Sequence, residues 1–300
     1  MKISIIGIGR LGGALALALS KKGYSIENLI ARQGETAEKI AENISPKPQI
    51  LNASETEKLG GSEIIFITTQ DSEIEAVAAG LAGKLTNKPF VFHTSGSLSS
   101  QILRDLNESG CRVGSIHPLV SVSDSFLGAR RFKDVFFCLE GDAEAVAVAE
   151  KIVGDLQGKS FAVETKFKAL YHASAVTASG QVTALISIAV EMLAACGLTN
   201  EKAQEILLPL VKSTFENLEK QTPAEALTGT FARADVETMK KHIAAIKETL
   251  APELLEVYLQ LGLRSTHLAE TQGASAENLA LMKKILAVEN AKNRKGNLQG

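Results

Sequence analysis

The apolar run Ile3–Ile6 ends in Gly7-Ile8-Gly9-Arg10-Leu11-Gly12, and Gly13, Ala14 and Ala16 follow at the head of a helical stretch. In this spacing the first glycine permits a tight turn. The second lets the backbone approach a pyrophosphate, and the third allows the helix to lie close against the strand. The helix N-terminus then offers unpaired N–H groups and the positive end of its peptide dipoles to the phosphates. The strand before, the helix after and the N-terminal placement agree, so the run predicts a dinucleotide site within a parallel sheet. The competing reading is a glycine-rich turn that holds no ligand.

The rest of the chain fits that frame. Short β-branched or aromatic runs alternate with helical stretches up to residue 163, as in a parallel sheet covered on both faces. The strands expected are Ile3–Ile6, Asn28–Ala31, Gln49–Leu51, Glu63–Thr68, Phe90–His93, Arg112–Ile116, Val135–Leu139 and Ser160–Val163. Helices are expected at Leu11–Lys22, Ser72–Leu85 and Ala143–Leu156. From Thr165 apolar residues recur at three- and four-residue steps, which predicts helices only. The first of these runs from Lys166 to Cys196, and Asn200 is expected to cap the next. The fold class is therefore α/β: a doubly wound parallel sheet of Rossmann type over residues 1–163, then an all-α substrate and dimerisation domain over 164–300. The tail from Asn293 has the composition of a disordered end.

Charge and composition narrow the partners. Lys and Arg number 32 against 34 Asp and Glu, with no long block of one sign, which disfavours nucleic acid. The N-terminal apolar run is too short for a signal peptide. Gly, Lys or Glu interrupts each apolar stretch before the roughly 18 residues of a membrane span, so a soluble, cytoplasmic protein with no membrane partner is expected. Cys111, Cys138 and Cys196 lie far apart without metal-ligand spacing, so they are read as reduced, mostly buried thiols and no metal is expected.

The end of the second strand selects the nucleotide, because an acid there would hold ribose hydroxyls and a base would accept a 2′-phosphate. The chain has Ala31-Arg32-Gln33, which favours NADP (NADPH), with Arg32 on the phosphate and Gln33 as an added donor. The alternative for Arg32 is a solvated surface residue.

Ligands of open parallel sheets bind outside the carboxyl ends of the strands. Three segments there are polar: Thr68-Thr69-Gln70-Asp71, His93-Thr94-Ser95-Gly96-Ser97 and His117-Pro118. Thr68, Thr69, His93 and Thr94 are candidate cofactor contacts. Ser95, Gly96 and His117 are candidate contacts to a substrate carboxylate or carbonyl. Ser95–Gly96 reads equally as a turn before a helix at Ser99, and His93 and His117 as structural strand-end residues. Lys168 and His172 stand four apart on one helical face, where a partly desolvated lysine serves as a proton donor. The bland alternative is a solvated Lys–His pair.

Together these residues resemble the Rossmann-like proteins with a helical domain of unknown function 2520. They sit in the superfamily of 6-phosphogluconate, ketopantoate and pyrroline-carboxylate reducing enzymes and deazaflavin-dependent NADP reductases. The runs that carry the resemblance start at His93 (HTSGSLSS), Gly114 (GSIHPLVS), Lys168 (KALYHASAV), Leu208 (LPLVKSTFENL) and Ala226 (ALTGTFARAD). The resemblance implies a catalytic role for Lys168, with His172 four residues on where the ketopantoate-type reductases have Asn; Ser95 is a catalytic candidate from its strand-end position. It also implies a cleft-facing loop in which Thr228, Gly229 and Arg233 bind substrate. The family pattern has Asn, Pro and Gly where this chain has Gly180, Thr230 and Ala234. The expectation is hydride transfer between NADPH and a small carbonyl or imine acid by a homodimer, with Ser95 and Gly96 orienting the substrate and Lys168 or His172 donating the proton. The alternatives are an NADP–deazaflavin oxidoreductase and a nucleotide-binding sensor without catalysis.

Overall fold

The computed structural model describes residues 1–32 and 34–297 and divides into two compact units, Met1–Ser179 and Gly180–Gly300. The first unit is built on an eight-stranded sheet: β1 (Lys2–Ile6), β2 (Ser25–Ile30), β3 (Gln49–Leu51), β4 (Ile64–Ile67), β5 (Phe90–His93), β6 (Arg112–Pro118), β7 (Phe136–Gly141) and β8 (Lys159–Phe161). Its helices are α1 (Arg10–Lys21), α2 (Gly34–Ala41), α3 (Asp71–Leu81), α4 (Arg104–Glu108), α5 (Ser125–Gly128), α6 (Ala143–Asp155) and α7 (Lys168–Ala178).

The strand order is β3-β2-β1-β4-β5-β6-β7-β8. The chain starts mid-sheet, winds outward through β2 and β3, and returns to place β4 on the other side of β1. That reversal opens a crevice at the carboxyl ends of β1 and β4. All described residues of β4, and all of β1 but Lys2, are buried, because apolar clusters cover both faces of the sheet.

Two strands, β7 and the β8 that pairs parallel with it, run against β1–β6 and depart from the expected parallel sheet. The 119–135 connection lays α5 against α1, and β7 then runs antiparallel to β6, with Ser115 opposite Glu140 and Pro118 opposite Phe137. Gly141, at φ +142°, makes the close approach possible, since a Cβ there would sit 2.5 Å from the Gly114 Cα.

Boundaries also moved. β2 starts at Ser25, ahead of the expected Asn28; β8 ends at Phe161; and α3 stops at Leu81, short of Leu85. The single helix expected from Lys166 to Cys196 is two, because Ser179 (φ −126°, ψ −74°) leaves helical geometry between α7 and α8 (Gly180–Ala194). α7 groups with the sheet, so the division of the structure falls after Ser179 and later than the compositional change at residue 163. By length and composition Thr165–Ala194 is apolar enough to cross a membrane, contrary to the expectation that every such run is interrupted.

The second unit continues with α9 (Asn200–Leu218), α10 (Gly229–Ala232), α11 (Val236–Thr249), α12 (Pro252–Thr271) and α13 (Ala276–Asn297), without a strand among its described residues. Met239, Ile243, Leu255, Leu259, Met282 and Leu286 form its core between α11, α12 and α13. α8 buries no residue and α9 buries only Ala203. The cap of α9 is Thr199, whose hydroxyl accepts the Lys202 N–H at 3.3 Å, and Asn200 is the first helical residue. The tail expected to be disordered from Asn293 is helical as far as Asn297.

Candidate functional site

The glycine turn fits a dinucleotide. Gly7 has φ +98°, and a Cβ there would lie 2.7 Å from the Thr69 N. At Gly12 a Cβ would lie 2.3 Å from the Gly7 carbonyl oxygen. Around Gly9, by contrast, nothing comes within 4 Å of such an atom, so the backbone there is bare. No side chain caps the N-terminus of α1, which leaves its first N–H groups open to an anion. Ile8 is buried in the core, Arg10 is exposed and Leu11 is half-buried. Of Ile8 and Leu11, only the main chain is presented to a ligand at this turn.

Thr68 is committed to the turn itself, its hydroxyl donating to the Gly7 carbonyl at 2.6 Å and the Ile6 carbonyl at 3.1 Å. The buried Thr69 hydroxyl oxygen has no partner among the described residues. At the end of β2, Arg32 has 77% of its side chain exposed and is ion-paired with Glu73 of α3. Gln33 lies outside the described residues.

The carboxyl end of β5 carries the densest polar cluster. His93 is buried, its Nδ1 accepts the Ser95 N–H at 3.2 Å, and its Nε2 makes no hydrogen bond within normal distance and angle among the described residues. Burial, then the Lys168 charge, pulls its pKa down to about 4, and a Ser99 main-chain group opposes this. Thr94 is buried beside it. The Ser95 hydroxyl donates to Asp71 at 2.8 Å and accepts the Ser97 and Leu98 N–H groups at 3.2 and 3.1 Å. Ser95 thus both organises a turn and stands at the site, with Asp71 as its acceptor.

Gly96 is the close-approach point. A Cβ on it would sit 2.7 Å from carbons of both His117 and His172. The two imidazoles stand edge to face with centroids 5.7 Å apart. Both line an open cavity of about 360 Å³ with Pro118, Ser121, Ala175 and Ser179. His117 Nδ1 lies 2.6 Å from the Tyr171 hydroxyl, and burial, then His172 and Lys168, pulls the ring down to about 4.

Lys168 is not on that cavity. It is 1% exposed, donates to the Ser115 hydroxyl at 2.6 Å and lies 3.7 Å from Glu140. Burial lowers its pKa and Glu140 opposes this. Glu140 in turn accepts from the Ser100 N–H and hydroxyl, both at 2.8 Å, and from the Ser99 hydroxyl at 3.1 Å. Desolvation pushes its carboxyl up, but these hydrogen bonds and Lys168 outweigh it and the pKa is lowered. The face shared by Lys168 and His172 therefore splits: the lysine is held inside, and the imidazole reaches the opening.

Thr228, Gly229 and Arg233 belong to the second unit, where the expected loop is a short helix. Thr228 precedes α10, Gly229 opens it at φ +79°, and Arg233, exposed, ends it. Ala234, where the family pattern has Gly, is buried at φ +49°, the left-handed backbone that glycine adopts freely. Asp235 caps α11 by accepting the Thr238 N–H at 3.0 Å. Asp71 belongs to a polar strand-end segment expected from sequence, whereas Ser115, Glu140 and Tyr171 were given no role there. A lone carboxylate directly after the apolar run Phe136–Leu139 was the one available signal, for Glu140.

Comparison with known families places this geometry. Residues 1–118 match a Rossmann-like domain, and residues 135–265 match a domain of unknown function, DUF2520. The chain is a Rossmann-like protein with a DUF2520 domain. The DUF2520 stretch begins just before β7, so it contributes Glu140, Lys168, Tyr171 and His172, and the Rossmann-like stretch contributes Ser95, Ser115 and His117. No curated protein matches the sequence.

Among solved structures, a Bacteroides fragilis protein to which NADP oxidoreductase activity is ascribed is similar at TM-score 0.72 and 22% identity, over 89% of this chain and 97% of that one. Protein TM1727 of Thermotoga maritima gives TM-score 0.69 and 25% identity over 90% and 99%. Plasmodium falciparum pyrroline carboxylate reductase, solved with NADP bound, gives 0.58 and 13% over 90% and 98%.

Proposed function

We propose that the chain is an NADP-dependent oxidoreductase that passes a hydride between NADPH and a small carbonyl or imine acid. The observation that carries this is the bare backbone at Gly9, flanked by glycines that admit no side chain, on the same sheet edge as a cavity lined by two imidazoles. Gly7 to Gly12 and the start of α1 would hold the pyrophosphate, and Thr69 has a hydroxyl to spare for the cofactor. Arg32 would take the 2′-phosphate. Its ion pair with Glu73 is exposed and worth under about 1 kcal/mol, so a phosphate dianion displaces it. When bound, the nicotinamide supplies the hydride.

The chain's own groups supply orientation and the proton. Ser95 and the Gly96 backbone would orient the acid. Of the two proton donors suggested by sequence, His172 lines the cavity and Lys168 does not, so His172 is assigned the transfer. Lys168 supports it from below by holding β6, β7 and α7 in register. Fold similarity to the Plasmodium pyrroline carboxylate reductase and to the Bacteroides protein ascribed NADP oxidoreductase activity supports the class and leaves the substrate to experiment.

The test is a titration with NADPH and NADH followed by nicotinamide fluorescence and melting temperature, then a screen of keto and imino acids for NADPH oxidation. Selective NADPH binding with turnover is expected. Arg32→Ala should weaken NADPH by roughly 1.5–3 kcal/mol and spare NADH. NADPH binding without turnover of any acid would favour the sensor, and turnover only with a deazaflavin would favour the third reading.

A cytoplasmic homodimer completes the proposal. α8 and α9 together leave all but one residue unburied, including Leu185, Ile206, Leu210 and Phe215. Their 34 residues exceed the ~20–30 a side of a standard interface. Gly180–Val190 carries no charged residue, so its surface is complementary to a second copy of itself.

A further inference from the structure

Among the described residues His117 has one ring nitrogen engaged and one without a hydrogen bond, and which of them carries the proton decides whether the ring gives or accepts a hydrogen bond. Nδ1 lies 2.6 Å from the Tyr171 hydroxyl. Nε2 has no hydrogen bond among the described residues and stands over Gly96, where a Cβ would come within 2.8 Å of it. The ring is fixed on both sides, with centroids 5.6 Å from Tyr171 and 5.7 Å from His172, both edge to face. Tyr171 is itself held by Phe161 at 5.7 Å. Pro118 follows and restricts the His117 backbone to extended geometry.

The tyrosine has one proton to give and two neighbours to give it to, His117 and Cys138. An imidazole nitrogen is a strong acceptor and a thiol sulfur a weak one. The Cys138 sulfur is also served by the Val163 main chain. Burial pushes both Cys138 and Tyr171 up, so at neutral pH each keeps its proton. The hydroxyl therefore donates to Nδ1, and the single proton of the neutral ring sits on Nε2. The groups facing the ring are His172, Lys168, Asp71 and His93, and the three bases among them disfavour a second proton.

We infer that Tyr171 is a positioning residue that holds His117 as the Nε2–H tautomer, so that His117 donates a hydrogen bond to a carbonyl or carboxylate oxygen in the cavity and does not act as a base. The donor role rests on the oxidoreductase reading above; the tautomer does not.

The experiment is a long-range proton–nitrogen correlation of the imidazoles in the 15N-labelled full chain at pH 7, with His117 identified by its loss in His117→Gln. The expected spectrum shows Nδ1 in the range of an unprotonated ring nitrogen and Nε2 in that of a protonated one. In Tyr171→Phe, checked for folding by its melting temperature, the two resonances move toward each other as the tautomers mix. A protonated Nδ1 in the native protein overturns the inference, and so does a Tyr171→Phe spectrum unchanged from it. Adding pyruvate at saturating NADPH should shift Nε2. An unmoved Nε2 with NADPH bound overturns the donor role alone, while absence of NADPH binding in the same tube overturns the oxidoreductase reading and leaves the tautomer standing.

Discussion

At the scale of single residues, the buried imidazoles make the protein acid-sensitive. His93 and His117 have folded pKa values of about 4 against an ordinary 6.5, so below 6.5 the unfolded chain binds more protons than the folded one. The stability they contribute is complete above pH 6.5 and is lost as the pH falls toward 4, by at most roughly 3 kcal/mol for each ring. Urea denaturation between pH 7 and pH 4 should show this loss, and His117→Gln should reduce it. Lys168→Ala leaves Glu140 half-desolvated without its cation, and should cost about 3–5 kcal/mol in the same assay, with Glu140→Gln restoring part of it. The sequence pointed to Gly96, His117, Lys168 and His172, because those types sit at predicted strand ends and on a helix face. It did not pair Lys168 with Ser115 and Glu140, since that contact depends on which strands are neighbours and in what register.

At the scale of elements, the second and third glycines of the turn should separate in their effects. Gly12→Ala forces a methyl onto the Gly7 carbonyl and should destabilise by about 1–3 kcal/mol. Gly9→Ala has room and a permissive φ of −91°, so it should cost only about 0.5–1 kcal/mol as a poorer cap while abolishing nucleotide binding. Chemical denaturation and the NADPH titration check both. α6 ends in a Schellman turn, with the Gln157 N–H on Gly154 and the Gly158 N–H on Val153, both at 2.9 Å. Gln157 is exposed at φ +63°, so Gln157→Gly should raise stability by roughly 0.5–1 kcal/mol. Strand positions and the glycine turn were legible because local pattern determines them. The direction of β7 was not, because it depends on where the 119–135 connection delivers the chain. Nor was the break at Ser179, since the apolar periodicity runs through it unaltered.

At the scale of the whole molecule, the uncovered helices α8 and α9 predict self-association: sedimentation equilibrium should give twice the 31.8 kDa chain mass. Leu210→Glu, placing a charge on the 65% exposed leucine of α9, should return it to one copy. A chain of monomer mass without that change would remove the dimer. The grouping of α7 with the sheet bears on how the molecule can be cut. A fragment ending at residue 163, where the composition changes, would lack the lysine that fills the space beside Ser115 and Glu140 and the tyrosine that meets His117. A fragment ending at Ser179 keeps them all. The same holds for any chimera that exchanges the helical half between relatives: α7 has to travel with the strands it is anchored to, or the graft arrives with its keystone missing.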